Sequence, residues 1–377
     1  MMTHVEAWIP IEPTDVPRLE RVLSDADPLL IAGVPAPFDY SFARFLAGTD
    51  DGTTFRALMD RNLTTRAISL AKGGAIGQDH PSAATFRITA ACMAFLQTTD
   101  SSIEPNVSLY ENPERAIDDL HWWRVADHIH PQAYVNVALG RTDTIPEHVL
   151  TDAWLKAAKF PAPPTDFAAR LYHWERHYCT LLKIAELDRG ATLRGAAKLH
   201  TLWDWSMQEG FMNAAASMFA LRLFGSTRSQ RMLRGVRSCS YDRCIRGVRN
   251  AAWDLTYVSQ WARHTRTDRK HLWMFWTNDH LLRDLARALL LPKAKDERHA
   301  LYQALRENFP QQDAAGLLAH HDACLEQIQK GARDRILQER FTNIDAITTA
   351  LTVRLRSTFP ATSAVDDQTS AQHAREE

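Results

Sequence analysis

The chain has little that would fasten a fold covalently or place it in a membrane. Its five cysteines, Cys92, Cys179, Cys239, Cys244 and Cys324, are scattered and odd in number, and only Cys239 and Cys244 are near neighbours. No disulfide framework or zinc-type spacing emerges from them. No segment approaches the ~20 consecutive apolar residues that span a bilayer, and Met1 to Trp8 show no basic stretch followed by an apolar one. The expectation is a reduced, cytoplasmic setting without membrane attachment. Glycine-rich phosphate loops are missing too: Gly73-Gly74 lacks the flanking Lys-Ser/Thr or further glycines that a phosphate loop or a dinucleotide fingerprint requires. No internal repeat at a period of about 20–50 residues is visible. The formal net charge of −1 excludes an overall polyelectrolyte.

What is present is an ordinary globular composition, 45% hydrophobic and 24% charged, over 377 residues. That length allows one enlarged domain with insertions or two domains. The low net charge hides a local imbalance. Arg222, Arg228, Arg231, Arg234, Arg237, Arg243, Arg246 and Arg249 are opposed within their stretch only by Asp242. Such a stretch suits a phosphate backbone, with Arg237, Arg243, Arg246 and Arg249 as the nearest contacts to the acid that follows them. A solvated helix and loop whose arginines meet acids from elsewhere is the alternative.

Two stretches share one grammar. Thr53 to Met59 and Leu272 to Trp276 are apolar or β-branched runs, and each leads to an acid that opens a helical stretch: Asp60 before Arg61 to Leu70, and Asp279 before His280 to Leu291. In parallel α/β proteins the carboxyl ends of strands carry the chemistry. Two further acids stand in apolar surroundings, Glu111 after Val107 to Tyr110, and Asp254 between Trp253 and Leu255. Four carboxylates gathered on one site would suit a hard cation, magnesium or manganese, which takes oxygen ligands and keeps several waters beside a substrate phosphate. Each acid has a plainer role open to it. Asp60 and Asp279 are placed to cap the helices that follow, Asp254 to pair with a nearby arginine, and Glu111 to sit on the surface.

The series Met59-Asp60-Arg61-Asn62, Leu109-Tyr110-Glu111, Ala252-Trp253-Asp254-Leu255 and Trp276-Thr277-Asn278-Asp279 resembles the PIN-like nucleases, with Thr-Asn-Asp after a strand the most recognisable element. The resemblance covers roughly residues 51 to 127 and 241 to 295. It implies an α/β fold, a small parallel sheet wrapped by helices, and metal-dependent cleavage of RNA. Asp60, Glu111, Asp254 and Asp279 would then hold the magnesium or manganese. Asn62, Asn250, Thr277 and Asn278 would support them as short polar neighbours, Asn250 lying one helical turn before Asp254. Single-stranded DNA is an allowed substrate, and a cognate protein inhibitor or a homo-oligomer an allowed partnership. A non-catalytic RNA-binding or protein-interaction module on a degenerate version of the fold is the rival from another class.

The remaining sequence is largely helical in pattern, which departs from the compact members of that family. The expected organisation is a flanking segment at 1–50, a first part of the PIN-like domain at 51–130 and a helical insertion at 131–240. A second part follows at 241–305, then a C-terminal helical region at 306–358 and a disordered tail at 359–377 rich in polar residues. Within this, Leu29 to Gly33 offers a strand before a break at Pro35 to Pro37, and Ser101 to Val107 reads as a turn followed by a short extended or helical run into Glu111. His173 and His177 have the spacing of a zinc pair on a helix but no evident third ligand, so surface or core positions are expected. Trp122, Trp123, Trp203 and Trp205 could stack bases but sit at helical spacing, which favours the core. Asp127 is a spare carboxylate whose simpler role is a surface ion pair.

Overall fold

The apolar runs become strands. The computed structural model describes residues 9–34, 37–50, 53–75, 77, 82–190, 192–209, 213–226, 233–289, 297–327 and 343–360. Among these, β1 (Leu29–Ile31), β2 (Thr54–Met59), β3 (Ser102–Glu104) and β4 (His271–Trp276) form a four-stranded sheet in the order β1-β4-β2-β3. β2 is parallel to both β3 and β4, and β1 closes one edge antiparallel to β4. The helices in chain order are α1 (Val16–Ala26), α2 (Phe42–Asp50), α3 (Arg61–Ala71), α4 (Ala83–Thr98), α5 (Asn106–Tyr110), α6 (Ala116–His128), α7 (Pro131–Ala138), α8 (Glu147–Ala157), α9 (Tyr172–Arg189), α10 (Gly195–Glu209), α11 (Ala214–Phe224), α12 (Tyr241–Thr267), α13 (His280–Leu289), α14 (Glu297–Asn308), α15 (Gln311–Gln327) and α16 (Ile344–Ser357). The chain is therefore α/β with a mostly parallel open sheet.

Two compact units divide the chain, one from 1–172 and 253–300, the other from 173–252 and 301–377. The sheet belongs to the first and is buried on both faces, which is why β4 reads as an unbroken apolar run rather than an alternation. Leu29, Phe55, Ala57, Met59, Met274 and Trp276 point to one side, into a core with Leu19 and Leu23 of α1, Phe95 of α4 and Tyr134 of α7. Leu30, Leu58, Trp273 and Phe275 point to the other, against Tyr257, Val258 and Trp261 of α12 and Leu282 and Ala286 of α13. The Trp261 indole N–H donates to the Trp273 carbonyl at 3.0 Å, fixing α12 on the sheet. Each of these large side chains contributes roughly 1.5–3 kcal/mol on burial.

This packing moves the expected boundaries. Residues 131–157 form α7 and α8 of the first unit rather than the start of an insertion, because Ala133, Tyr134, Val135, Val137 and Ala138 bury in the same core as the sheet. The N-terminal segment does more than flank: β1 is a sheet strand and α1 packs in the core. Ser101 to Val107 contains β3, whose three residues pair with Arg56, Ala57 and Leu58.

The second unit is helical, and its C-terminal helices pack with the 173–252 segment instead of standing as a separate region. Its turn at 233–238 lies directly on α12. Gly235 holds a left-handed φ of +74°, and a Cβ added at Gly247 would collide with the Arg234 carbonyl oxygen, so only glycine permits this approach. The expected disordered tail beyond residue 360, the stretch 328–342, Met1 to Trp8, Arg228 and Arg231 lie outside the described residues.

Candidate functional site

Asp60 follows the last residue of β2 and caps α3. Its extended backbone lets Oδ1 accept the Leu63 N–H at 2.8 Å, while its own N–H continues the ladder to the Trp276 carbonyl at 3.0 Å. That ladder bond brings the ends of β2 and β4 side by side. Thr277, fully buried just past β4, donates its hydroxyl to Asp60 Oδ2 at 2.6 Å and accepts the Asp279 N–H at 3.0 Å. Asp279 in turn caps α13, its Oδ1 accepting the Leu281 N–H at 2.8 Å and the Leu282 N–H at 3.2 Å. Both strand-end acids are thus caps and neighbours at once, joined through one threonine.

Glu111 arrives from the third parallel strand. β3 runs into the single turn of α5, and Glu111 is the next residue. Arg61, the first residue of α3, anchors this segment: its guanidinium donates to the Ser108 carbonyl at 2.7 Å and to Asp119 of α6 at 3.1 Å. Tyr257 of α12 is fully buried near these acids, and the charges of Glu111, Asp60 and Asp254 all act on its hydroxyl. The Tyr257 hydroxyl lies close enough to Glu111 to favour its ionised form slightly. Yet neither Glu111 Oε2 nor that hydroxyl completes a hydrogen bond with any described group. Buried polar atoms without partners are costly and call for a ligand or water.

Burial sets the electrostatics. It pushes the Asp60 carboxyl up to about 6, against the Thr277 and Leu63 hydrogen bonds, and the charge of Asp279 adds to the rise. It pushes Glu111 up to about 7, opposed by Arg61 and reinforced by Asp60. Asp254 is exposed one turn before Tyr257 on α12. Oxygen donors whose protons are weakly held at neutral pH fit a hard divalent cation, whose binding would displace those protons. The carboxylates are not drawn into a tight cage, however. Among the described residues no three of them bring oxygens within 4.8 Å of one another.

Of the expected supporting residues, Thr277 is in the site and Asn278 adjoins it partly buried, whereas Asn62 is exposed and offers its carbonyl to Arg66 at 2.8 Å. Asn250 is exposed on α12 in the residues of the second unit, as are Arg243, Arg246 and Arg249. Arg237, also exposed, approaches Asp188 at 3.9 Å. Asp127 sits at the far end of α6, exposed, and adds nothing to the acids. Asp119 is the residue that the sequence reading passes over: it is buried and held by Arg61, and its position three after Ala116 and four before Trp123 places it on the apolar face of α6. Trp123, Trp203 and Trp205 are core residues. His177 is buried with its Nδ1 2.7 Å from the Asn213 side-chain amide, burial lowers its pKa to about 3, and among the described residues no third donor joins His173 and His177. No family model, curated protein or solved structure matches the chain.

Proposed function

We propose that the chain is a divalent-metal-dependent nuclease of the PIN-like type, with RNA as the substrate and Asp60, Glu111, Asp254 and Asp279 holding magnesium or manganese. The observation that carries this reading is the Asp60–Thr277 hydrogen bond at the paired carboxyl ends of β2 and β4, with Glu111 and Asp254 set around the same buried Tyr257. A bound cation would supply a water ionised near neutral pH and neutralise charge on the phosphate. The chain's own groups do the rest. Thr277 and the Leu63 N–H fix the rotamer of Asp60, and Thr277 also ties the Asp279 backbone to it. Arg61 holds the turn that presents Glu111. Asp60 and Glu111 carry protons at acid pH and release them as the site is loaded. The exposed arginines of α12 support a phosphate-bearing polymer as substrate.

The wide spacing of the carboxylates favours the rival, a non-catalytic RNA-binding module. Labelled RNA and single-stranded DNA incubated with the wild-type protein and magnesium, manganese or chelator separate the two. Metal-dependent cleavage that is lost in Asp60→Ala, Asp279→Ala and Asp254→Asn variants of unchanged fold supports the nuclease. RNA retention without cleavage under every metal condition overturns it in favour of the rival.

A further inference from the structure

The second unit holds a side-chain cluster that this chemistry does not use. His200 and Asp204 lie one turn apart on α10, and His320 and Cys324 one turn apart on α15, which packs against it. Asp204 Oδ2 is 3.2 Å from His200 Nδ1, Asp204 Oδ1 is 3.0 Å from His320 Nε2, and Cys324 Sγ is 3.7 Å from that same Nε2. One donor atom from each of His200, Asp204 and His320 lies within 4.8 Å of the other two. A tetrahedral zinc ion with bonds of about 2.0–2.2 Å to nitrogen and oxygen sets its donor atoms about 3.3–3.6 Å apart, so these three donors reach that geometry by side-chain adjustment, while the Cys324 thiol lies beside His320 outside the group.

The two imidazole rings are stacked with centroids 3.5 Å apart, so the half-exposed His200 ring turns to bring its lone pair onto a shared ion. Cys324 and Trp203 are buried behind the cluster, whereas His200 and Asp204 are about half exposed and leave a route in from solvent. Two imidazole nitrogens and a carboxylate oxygen form a borderline donor set, unlike the all-oxygen set of the acids in the first unit.

We infer that His200, Asp204 and His320 bind a zinc-class transition metal ion that clasps α10 to α15. Three protein donors leave the fourth position of a tetrahedral ion to water.

The test uses the full chain, stripped with chelator and titrated with cobalt(II) as a spectroscopic stand-in for zinc. The expected result is the intense visible absorption of four-coordinate cobalt, abolished by added zinc. Asp204→Asn and His320→Gln should weaken zinc binding at least tenfold, with unchanged circular dichroism. Cys324→Ser should leave that absorption in place. Zinc should raise the melting temperature of the wild type but not of Asp204→Asn. Weak absorption typical of six-coordinate cobalt in the wild type overturns the assignment. So does an affinity for zinc that the Asp204 and His320 substitutions leave unchanged.

Discussion

Replacing Asp60 with asparagine should make the first unit more stable at neutral pH while abolishing the proposed activity. In the folded chain the Asp60 carboxyl is pushed from 3.8 to about 6, chiefly by burial. The folded state therefore holds this proton more tightly than the unfolded state, whose carboxyl stays near 3.9. The favourable contribution is fully present below about pH 4, falls by ~1.4 kcal/mol per pH unit on the way up, and is gone above about pH 6. Over roughly two pH units the loss amounts to ~3 kcal/mol. Asparagine keeps the shape and an oxygen for the Leu63 N–H but has no ionisation. Its amide loses the hydroxyl-to-carboxylate bond with Thr277, a pH-independent cost of about 1–2 kcal/mol. The variant should thus be slightly less stable than the wild type at pH 4 and more stable at pH 7.5. Removing the Asp60 charge also eases ionisation of Glu111, which widens the swing in the same direction. At about 2–4 °C per kcal/mol for a domain of this size, the difference in melting temperature should change by roughly 6–12 °C across that range. Tryptophan fluorescence follows the relevant core, since Trp261, Trp273 and Trp276 are all buried on the sheet. Chelator belongs in every sample. Melting temperatures of the two proteins that run parallel from pH 4 to 7.5 would refute the reasoning.

Other outcomes follow from the same geometry. Thr277→Val removes the 2.6 Å bond to Asp60 and the acceptor for the Asp279 N–H, and at about 1.5–3 kcal/mol for a bond to a charged group it should lower kcat/KM for RNA by about tenfold to a hundredfold. Retention of full activity would count against Thr277 as the link between the two acids. The activity of the wild type at limiting magnesium should rise with pH through about 6 to 7, where Asp60 and Glu111 lose their protons, and the rise should move to lower pH as magnesium is increased. A rate indifferent to pH between 5 and 8 would exclude these carboxyls from metal binding. Tyr257→Phe deletes a buried hydroxyl that makes no hydrogen bond with any described group, so thermal unfolding should show a gain of about 1 kcal/mol. A loss of stability would reveal a partner for that hydroxyl.

The sequence shows the skeleton of the site because its signals are local. Asp60 and Asp279 each end an apolar run and open a helix, and both the strand ends and the caps lie where that grammar puts them. β3 is legible only as an extended or helical run because three residues carry no periodicity of their own; pairing with β2, some 46 residues earlier, selects the strand. Tyr257 escapes for a similar reason, since an aromatic residue three after Asp254 reads as core, and it is core along its ring while its hydroxyl faces the acids. Asp119 had a usable signal: an acid on the apolar face of a helix is expensive to bury without a partner, and Arg61 is that partner.

Histidine pairs at a one-turn spacing show how far spacing alone reaches. His173 and His177 look like a ligand pair on paper, yet His177 is buried with its Nδ1 held by Asn213 and among the described residues no third donor joins them. His200 with Asp204 and His320 with Cys324 have the same four-residue separation and no stronger local pattern. They are distinguished by what packing does with them. α10 and α15 bring His320 against His200 and Asp204 across more than a hundred residues of chain, with one donor atom of each within 4.8 Å of the other two. Spacing nominates a donor pair, but packing decides whether a third donor arrives to share a cation with it.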